Sequence, residues 1–172
     1  MRMSHIDDRI RGAVKVWDSL RLRSMWTIEK YWPEQKRPYE TLIFPYNLGL
    51  NEGLNALFTL LCGGSETAFN NANSNIGVGD SDAAAVATQT GLQAATNKLY
   101  KGMEATYPTY GTLQKAIWRA KFLGSEANWV WNEITVANGN SDAAKNLNRK
   151  VQAMGTKVSP AEWYATLEIT AA

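Results

Sequence analysis

The sequence predicts a mainly β fold: an antiparallel β-sandwich or barrel-like domain with one packed α-helix and an extended N-terminal arm. Three observations lead to this fold class. Short apolar stretches with a two-residue period recur along the second half of the chain and are separated by turn signals. A single stretch has the apolar repeat of an amphipathic helix. The first 38 residues differ from the rest in charge and in spacing.

The late part of the chain predicts three well-patterned strands. Residues 115–122 place Trp118 and Phe122 on one face and several cations on the other, as in a strand with one buried side. Residues 129–136 carry bulky side chains on both faces, so we expect one face in the core and the other covered by a partner. Residues 163–169 alternate again and predict a strand that pins the late chain into the sheet. Shorter strands are expected at residues 39–44, 76–79 and 147–154.

One helix is predicted after residue 50. Asn51 is a candidate N-cap, Glu52 falls in the first turn, and the pair Gly63 and Gly64 supplies a stop signal. The apolar residues follow helical spacing, and we expect this stripe to pack into the core. Its members are Leu54, Leu57, Phe58 and Leu61.

The predicted arm covers residues 1–38, and the predicted globular domain covers residues 39–172. The arm holds nine Lys and Arg against five Asp and Glu, whereas the remainder holds nine against eleven. We therefore expect the arm to dock on an acidic surface, with a loop or hinge at residues 33–38. The alternative is that it folds back onto the sheet as ordinary core. Its first part has apolar residues at rough helical spacing, and its second part alternates like a strand. The helically spaced residues are Ile6, Ile10, Val14 and Trp17.

Tryptophan and arginine dominate interface hot spots, which makes such residues the candidate contacts to a partner. We predict a partner interface formed by Trp17, Arg21, Arg23, Trp26, Trp32 and Arg37 in the arm and by Trp129 and Trp131 in the domain. Single-stranded nucleic acid also binds aromatic and cationic residues, but Asp7, Asp8, Asp18 and Glu29 interrupt the positive charge of the arm. Nucleic acid is therefore not an expected partner.

The residue types that carry catalysis are sparse. His5 is the only histidine, and Cys62 is the only cysteine, which excludes an internal disulfide and a multi-cysteine zinc site. We expect Cys62 to be a small buried residue at a helix end. The stretch from Gly77 to Ser81 lacks the lysine of a phosphate-binding loop, so we expect a strand ending in a turn. The sequence thus predicts no enzyme, no cofactor and no metal site.

No apolar stretch approaches the roughly 18 residues of a membrane-spanning helix, and no secretory signal is evident. Neither membrane insertion nor secretion is expected.

A series of motifs over roughly residues 40–172 resembles a pattern of tailed-bacteriophage virion proteins. In order they are YNLGLNEG and LNALFTLLCGG over residues 46–64, NIGVGDS over 75–81, YP at 107–108, ANWVWNE over 127–133 and LNR over 147–149. Such proteins resemble capsid decoration (cement) proteins and tail or fibre-attachment domains. No catalytic residues carry over, because the family pattern contains none.

The resemblance implies a non-enzymatic virion structural protein assembled in the host cytoplasm. The favoured role is a capsid decoration protein that binds the major capsid protein and forms a homo-oligomer on the particle. The first alternative is a tail, neck or fibre-base protein. A further alternative is a carbohydrate-binding module that uses Trp129, Trp131 or Tyr164 as stacking platforms.

Overall fold

The computed structural model describes residues 21–171, and this part of the chain contains ten strands and one helix. The prediction of a mainly β fold with a single helix is confirmed. In chain order the elements are β1 (Leu22–Tyr31), β2 (Glu40–Pro45), β3 (Leu48–Gly49), α1 (Asn51–Leu61), β4 (Asn75–Gly79), β5 (Lys98–Gly102), β6 (Thr109–Thr112), β7 (Lys115–Phe122), β8 (Val130–Ala137), β9 (Asn148–Thr156) and β10 (Glu162–Ala171).

The strands form two antiparallel five-stranded sheets that pack as a sandwich around an apolar core. Sheet 1 has the order β2-β1-β10-β7-β6, and sheet 2 has the order β3-β9-β8-β4-β5. Three aromatic rings meet edge to face at the centre, where Trp131 of sheet 2 contacts Phe122 and Trp163 of sheet 1. Their ring centroids are 4.7 and 4.8 Å apart, in the range that favours such pairs.

Strand β1 corrects the predicted division between arm and domain. All ten of its residues pair with β10, from Leu22 opposite Ala171 to Tyr31 opposite Glu162, and β2 pairs along its other edge. Residues 22–31 are therefore an inner strand of the domain, not part of an arm. The alternating pattern indicated the strand correctly, but a two-residue period does not say which neighbours a strand has. Residues 1–20 lie outside the described part of the chain.

Strand β8 is buried on both faces, and the same chain provides the cover. A register shift against β9 between Trp131 and Glu133 marks a bulge, so Trp131 and Ile134 both point into the core. The opposite face carries Glu133 and Thr135, which are also buried. The loop between β4 and β5 lies over this face, and its Ala94 N–H donates to Glu133 Oε1 at 2.7 Å. The predicted covering partner is therefore replaced by an internal loop.

The helix makes its closest contact with the sandwich through two small residues, with Leu57 and Leu60 packed beside them. Gly53 and Ala56 are its buried residues. A Cβ on Gly53 would lie 2.4 Å from both the Asn146 carbonyl oxygen and the Leu147 Cα, so only glycine permits this approach. The helix begins at Asn51 after Leu50 as N-cap, without a side-chain cap. The prediction that Asn51 caps the helix is therefore wrong.

The apolar stripe of α1 packs only in part, contrary to the prediction that all of it enters the core: Leu57 contacts the core, whereas Phe58 and Leu61 are exposed. Phe58 is 64% exposed and Leu61 is 79% exposed. Leu54 and Leu57, each one turn before Phe58 and Leu61 respectively, are partly buried. The close approach at Gly53 fixes the rotation of the helix, because it directs Gly53, Ala56 and the neighbouring Leu57 towards the sandwich and leaves Phe58 and Leu61 outside.

Candidate interaction surface

An apolar groove of about 570 Å³ opens at the end of the sandwich where β1 begins. Helix α1 forms one wall, and the ends of β7, β9 and β10 form the others. Its apolar lining comes mainly from Leu22, Leu54, Leu57, Trp118, Leu147 and Ile169. We call this feature the apolar groove.

Exposed apolar side chains surround the mouth of the groove. Tyr46 itself lines it and is 76% exposed. Leu113, which is 73% exposed, lies in the β6–β7 turn between the lining residues Gly111 and Gln114. Phe58 and Leu61 continue the helix stripe whose other two members line the groove, so helical geometry places them beside it. We call Tyr46, Phe58, Leu61 and Leu113 the apolar rim.

The NH2 groups of two side-chain amides in the groove lining have no hydrogen-bond partner among residues 21–171. Asn47 Oδ1 accepts from Ser24 Oγ at 2.5 Å, and Asn148 Oδ1 accepts from the Val136 N–H at 3.0 Å. These contacts set the orientation of both amides. Their Nδ2 atoms are buried and unpaired. An unsatisfied buried donor costs about 1–3 kcal/mol, so each of these two NH2 groups would gain from an acceptor within hydrogen-bond distance.

The outer face of sheet 1 has a different character, because its cations are paired. Arg119 contacts Glu29 at 2.8 Å and Glu104 at 2.9 Å. Its guanidinium also lies 4.7 Å from the centre of the Tyr164 ring, and the Lys121 amino group lies 5.4 Å from it. Further cross-strand pairs join Lys115 to Glu168 and Lys121 to Glu162. The cationic face predicted for β7 therefore exists, but its charge is balanced within the sheet.

The outer face of sheet 2 is covered by the β4–β5 loop, which a buried ion pair holds in place. Arg149 Nε donates to Glu133 Oε2 at 2.7 Å, and neither side chain is exposed. Glu133 also accepts from the backbone N–H groups of Gln93 and Ala94 in the β4–β5 loop. Arg149 Nη1 donates to Gln89 Oε1 at 3.0 Å in the same loop. The pair therefore fastens the loop onto the sheet.

The glycines of β4 allow side chains of the neighbouring strands and of the β4–β5 loop to pack closely against this strand. A Cβ on Gly79 would lie 2.4 Å from Glu133 Oε1, and one on Gly77 would lie 2.7 Å from the Tyr100 ring. Beyond the strand, Ser81 Oγ accepts from the Ala83 N–H at 3.3 Å. The predicted strand is confirmed as β4, whereas Asp80 and Ser81 follow it in irregular backbone and not in a turn, and the glycines serve packing.

The structure divides the predicted interface residues of the arm between two ends of the molecule. Arg21 and Arg23 are exposed beside the groove, where β1 begins. Trp32 and Arg37 are exposed in the β1–β2 connection, and Trp32 stacks on Tyr39 with ring centroids 5.2 Å apart. A ten-residue strand separates the two pairs by about 30 Å. They do not form one contact surface.

The remaining tryptophans are unsuited to the predicted roles. Trp26 and Trp131 are fully buried in the core, so their assignment to a partner interface is wrong. Trp129 is partly buried and packs against the core. Tyr164 lies under two cations, which hinders its use as a sugar-stacking platform. Trp17 lies outside the described residues.

Cys62 is exposed, and the prediction that it is buried is wrong. It directly follows the exposed Leu61 at the end of α1, which explains its exposure. Across residues 21–171, no group of three or more His, Cys, Asp and Glu side chains is arranged to hold a metal ion. His5 lies outside this range. The single helix of the described chain is too short to cross a membrane.

Sequence reasoning missed the groove and the two unpaired amides. The rotation of α1 had a signal in the sequence, since Gly53 and Ala56 are small residues one turn apart, about 120° around the helix from the centre of the stripe. Comparison with family models, with curated proteins and with solved structures finds no match to this chain.

Proposed function

We propose that the chain is a non-enzymatic structural protein of a tailed-bacteriophage particle, and specifically a capsid decoration protein that binds the major capsid protein. The observation that carries this proposal is the apolar rim around the groove. Exposed apolar patches of this kind mark surfaces that bind other proteins. Phe58 and Leu61 are the rim residues held on a regular helix, and they are 64% and 79% exposed.

The outer faces of the two sheets are less suited to a partner than the groove end, which favours the groove end as the docking surface. On sheet 1, the pairs of Arg119 with Glu29 and Glu104 leave little unbalanced charge for a partner. On sheet 2, the β4–β5 loop already covers the strands. A rigid surface that needs little rearrangement loses little entropy on binding. Many copies bound in this way would stabilise a shell by mass action.

The motif order that resembles phage virion proteins supports the same class of function. A tail, neck or fibre-base protein could use the same apolar rim, so this alternative differs in location and copy number. The carbohydrate-binding alternative is weakened because Trp131 is buried and Tyr164 is covered by Arg119 and Lys121.

Quantitative mass spectrometry of purified particles of the virus that encodes the chain tests the location. A copy number comparable to that of the major capsid protein supports decoration. A small fraction of that number supports the tail, neck or fibre base. Absence from the particles contradicts the proposal.

A paired substitution tests the surface. We expect Phe58→Ser with Leu61→Ser to weaken binding to particles that lack the protein by more than tenfold, with little change in melting temperature. Ile43→Ser is the matched control, because Ile43 is 59% exposed but lies on the edge strand β2. Equal binding of both variants would exclude the rim as the docking surface.

A further inference from the structure

We propose that a pocket between the α1–β4 loop and the β5–β6 loop binds a neutral saccharide. The pocket has a volume of about 380 Å³, which is typical of a small-molecule site. Two asparagines and two tyrosines contribute to its lining, namely Asn70, Asn71, Tyr107 and Tyr110. We call it the loop pocket. Its lining residues differ from those of the apolar groove, and the inference goes beyond the proposed function and does not depend on it.

Asn71 holds the two loops of the pocket together in a fixed arrangement. Its Nδ2 donates to the Glu104 carbonyl oxygen at 2.9 Å and to the Tyr107 carbonyl oxygen at 2.5 Å. The Tyr107 N–H closes the same turn by donating to the Glu104 carbonyl oxygen at 2.9 Å. These three bonds order the walls of the pocket before a ligand binds, which lowers the entropy lost on binding.

The two neighbouring asparagines leave one acceptor and one donor for a ligand. Both hydrogens of the Asn71 amide are engaged, so its Oδ1 remains as an acceptor without a partner among residues 21–171. Asn70 has the opposite arrangement, because its Oδ1 accepts from the Asn73 N–H at 3.1 Å. Its Nδ2 remains as a donor that no other residue of the described chain engages. A hydroxyl group both donates and accepts, so neighbouring hydroxyls of a sugar complement this pair.

Tyr110 adds an aromatic surface to the same pocket. It lies in β6, pairs with Ala116 of β7 and is 74% exposed. A tyrosine ring provides a large contact area at a low cost in side-chain entropy, because it has only two rotatable bonds. Such a ring packs against the apolar C–H face of a sugar while amide groups bind the sugar hydroxyls. The loop pocket supplies both kinds of contact.

The charge of the lining favours a neutral ligand. None of the described residues that line the loop pocket is Lys, Arg, Asp or Glu. A phosphate or carboxylate group would therefore meet no cation in the lining, which disfavours nucleotides and acidic sugars. The site uses none of Trp129, Trp131 and Tyr164, the residues of the carbohydrate-binding alternative.

Titration of the full-length, ¹⁵N-labelled protein with maltose, lactose, cellobiose and N,N′-diacetylchitobiose tests the site. We expect at least one of these neutral disaccharides to shift the amide signals of residues 70–72 and 105–110. Its Kd should be about millimolar, since few groups contact so small a ligand. Uridine and adenosine are titrated in parallel. If no disaccharide shifts these signals, or if only a nucleoside does, the proposal is wrong.

Substitutions of two exposed tyrosines make the test specific. We expect Tyr110→Ala to weaken binding of the disaccharide by about tenfold, whereas Tyr110→Phe keeps the ring and most of the affinity. Tyr39→Ala is the control, because Tyr39 is 44% exposed but lies in the β1–β2 connection, and we expect it to bind like the wild type. Equal losses in Tyr110→Ala and Tyr39→Ala would overturn the proposal.

The Asn70 donor has its own test. Asn70→Asp keeps the side-chain shape and the acceptor for the Asn73 N–H but removes the NH2 group. Because the ligand is neutral, the added charge has little direct effect on it. We expect several-fold weaker binding of the disaccharide in the same titration, with an unchanged melting temperature. Unchanged affinity would overturn the role assigned to Asn70.

Discussion

The Glu133 carboxylate and the Arg149 guanidinium form an ion pair of 2.7 Å in which neither side chain has exposed surface. The pair connects β8 to β9 and also holds the β4–β5 loop through backbone N–H groups. A buried charge without its partner is far more costly than an exposed one. This pair should therefore be the electrostatic contact on which the fold depends most strongly.

Removing one member of the pair should be severely destabilising. We expect Arg149→Met to lower the free energy of unfolding by about 3–5 kcal/mol, since it leaves the Glu133 charge buried without its partner. Lys115→Met is the control, because its pair with Glu168 is partly exposed and should contribute less than about 1 kcal/mol. Urea denaturation measures both. Similar losses in the two variants would contradict the importance of burial.

The second prediction concerns the glycines of β4. Gly79→Ala should cost about 1–3 kcal/mol, because its Cβ would lie 2.4 Å from Glu133 Oε1 and 2.9 Å from the Ala94 Cβ. Gly102→Ala in β5 is the control, since the nearest atom to its Cβ would be 3.8 Å away. Thermal melts that rank the two variants in the opposite order would show that the loop can move aside.

The third prediction concerns the face on which α1 packs. Alanine stabilises a helix by about 1 kcal/mol relative to glycine. We nevertheless expect Gly53→Ala to destabilise the protein, because the added Cβ would overlap the backbone of Leu147, just before β9. Phe58→Ala should change stability by less than about 1 kcal/mol, since Phe58 is mostly exposed. Circular dichroism melts test both. A stabilising Gly53→Ala would mean that the helix can shift outwards.

The fourth prediction concerns pH. Burial lowers the pKa of the Lys157 amino group to about 8, although Glu126 and Glu162 act in the opposite direction. An unfolded lysine keeps its proton to about pH 10.4, so between pH 8 and 10 the unfolded state binds more protons than the folded state. Stability should therefore rise with pH in this window, by an amount on the order of 1 kcal/mol.

Lys157→Met should remove this contribution, so the difference between wild type and variant should change from pH 8 to pH 10. The window ends near pH 10, because burial raises the pKa of Tyr100 above its usual value and tyrosine ionisation then favours the unfolded chain. Urea denaturation at several pH values gives the curve. If the free energy of unfolding of the two proteins changed with pH in the same way, the lowered pKa of Lys157 would be contradicted.

The sequence predicted the strands with the clearest alternation. Residues 115–122 correspond to β7, residues 129–136 to most of β8, and residues 163–169 lie within β10. Helix α1 was also located correctly, at Asn51–Leu61. Local periodicity determines these elements, because side-chain direction follows directly from backbone geometry.

The sequence did not predict the features that depend on distant parts of the chain. The bulge in β8 turned Trp131 into the core, and nothing local signals a register shift against β9. The partner of Glu133 lies 16 residues away on another strand. A charge within the apolar stretch of β8 nevertheless indicates that a buried partner must exist. The groove is likewise lined by residues that are scattered between Leu22 and Ala171, so no local sequence pattern indicates it.

The placement of β10 has a consequence for synthesis on the ribosome. This strand lies between β1 and β7, so the early and late parts of sheet 1 have no direct pairing until β10 arrives. Its final residue is fastened late, by the Ala171 N–H donating to the Gln114 carbonyl oxygen. While residues 162–171 are still inside the ribosomal exit tunnel, the edge of β1 that later pairs with β10 is unpaired. The apolar side chains of Trp26 and Ile28 in this strand are then exposed. Vectorial folding can complete sheet 2 first, whereas sheet 1 must close after translation has passed residue 171.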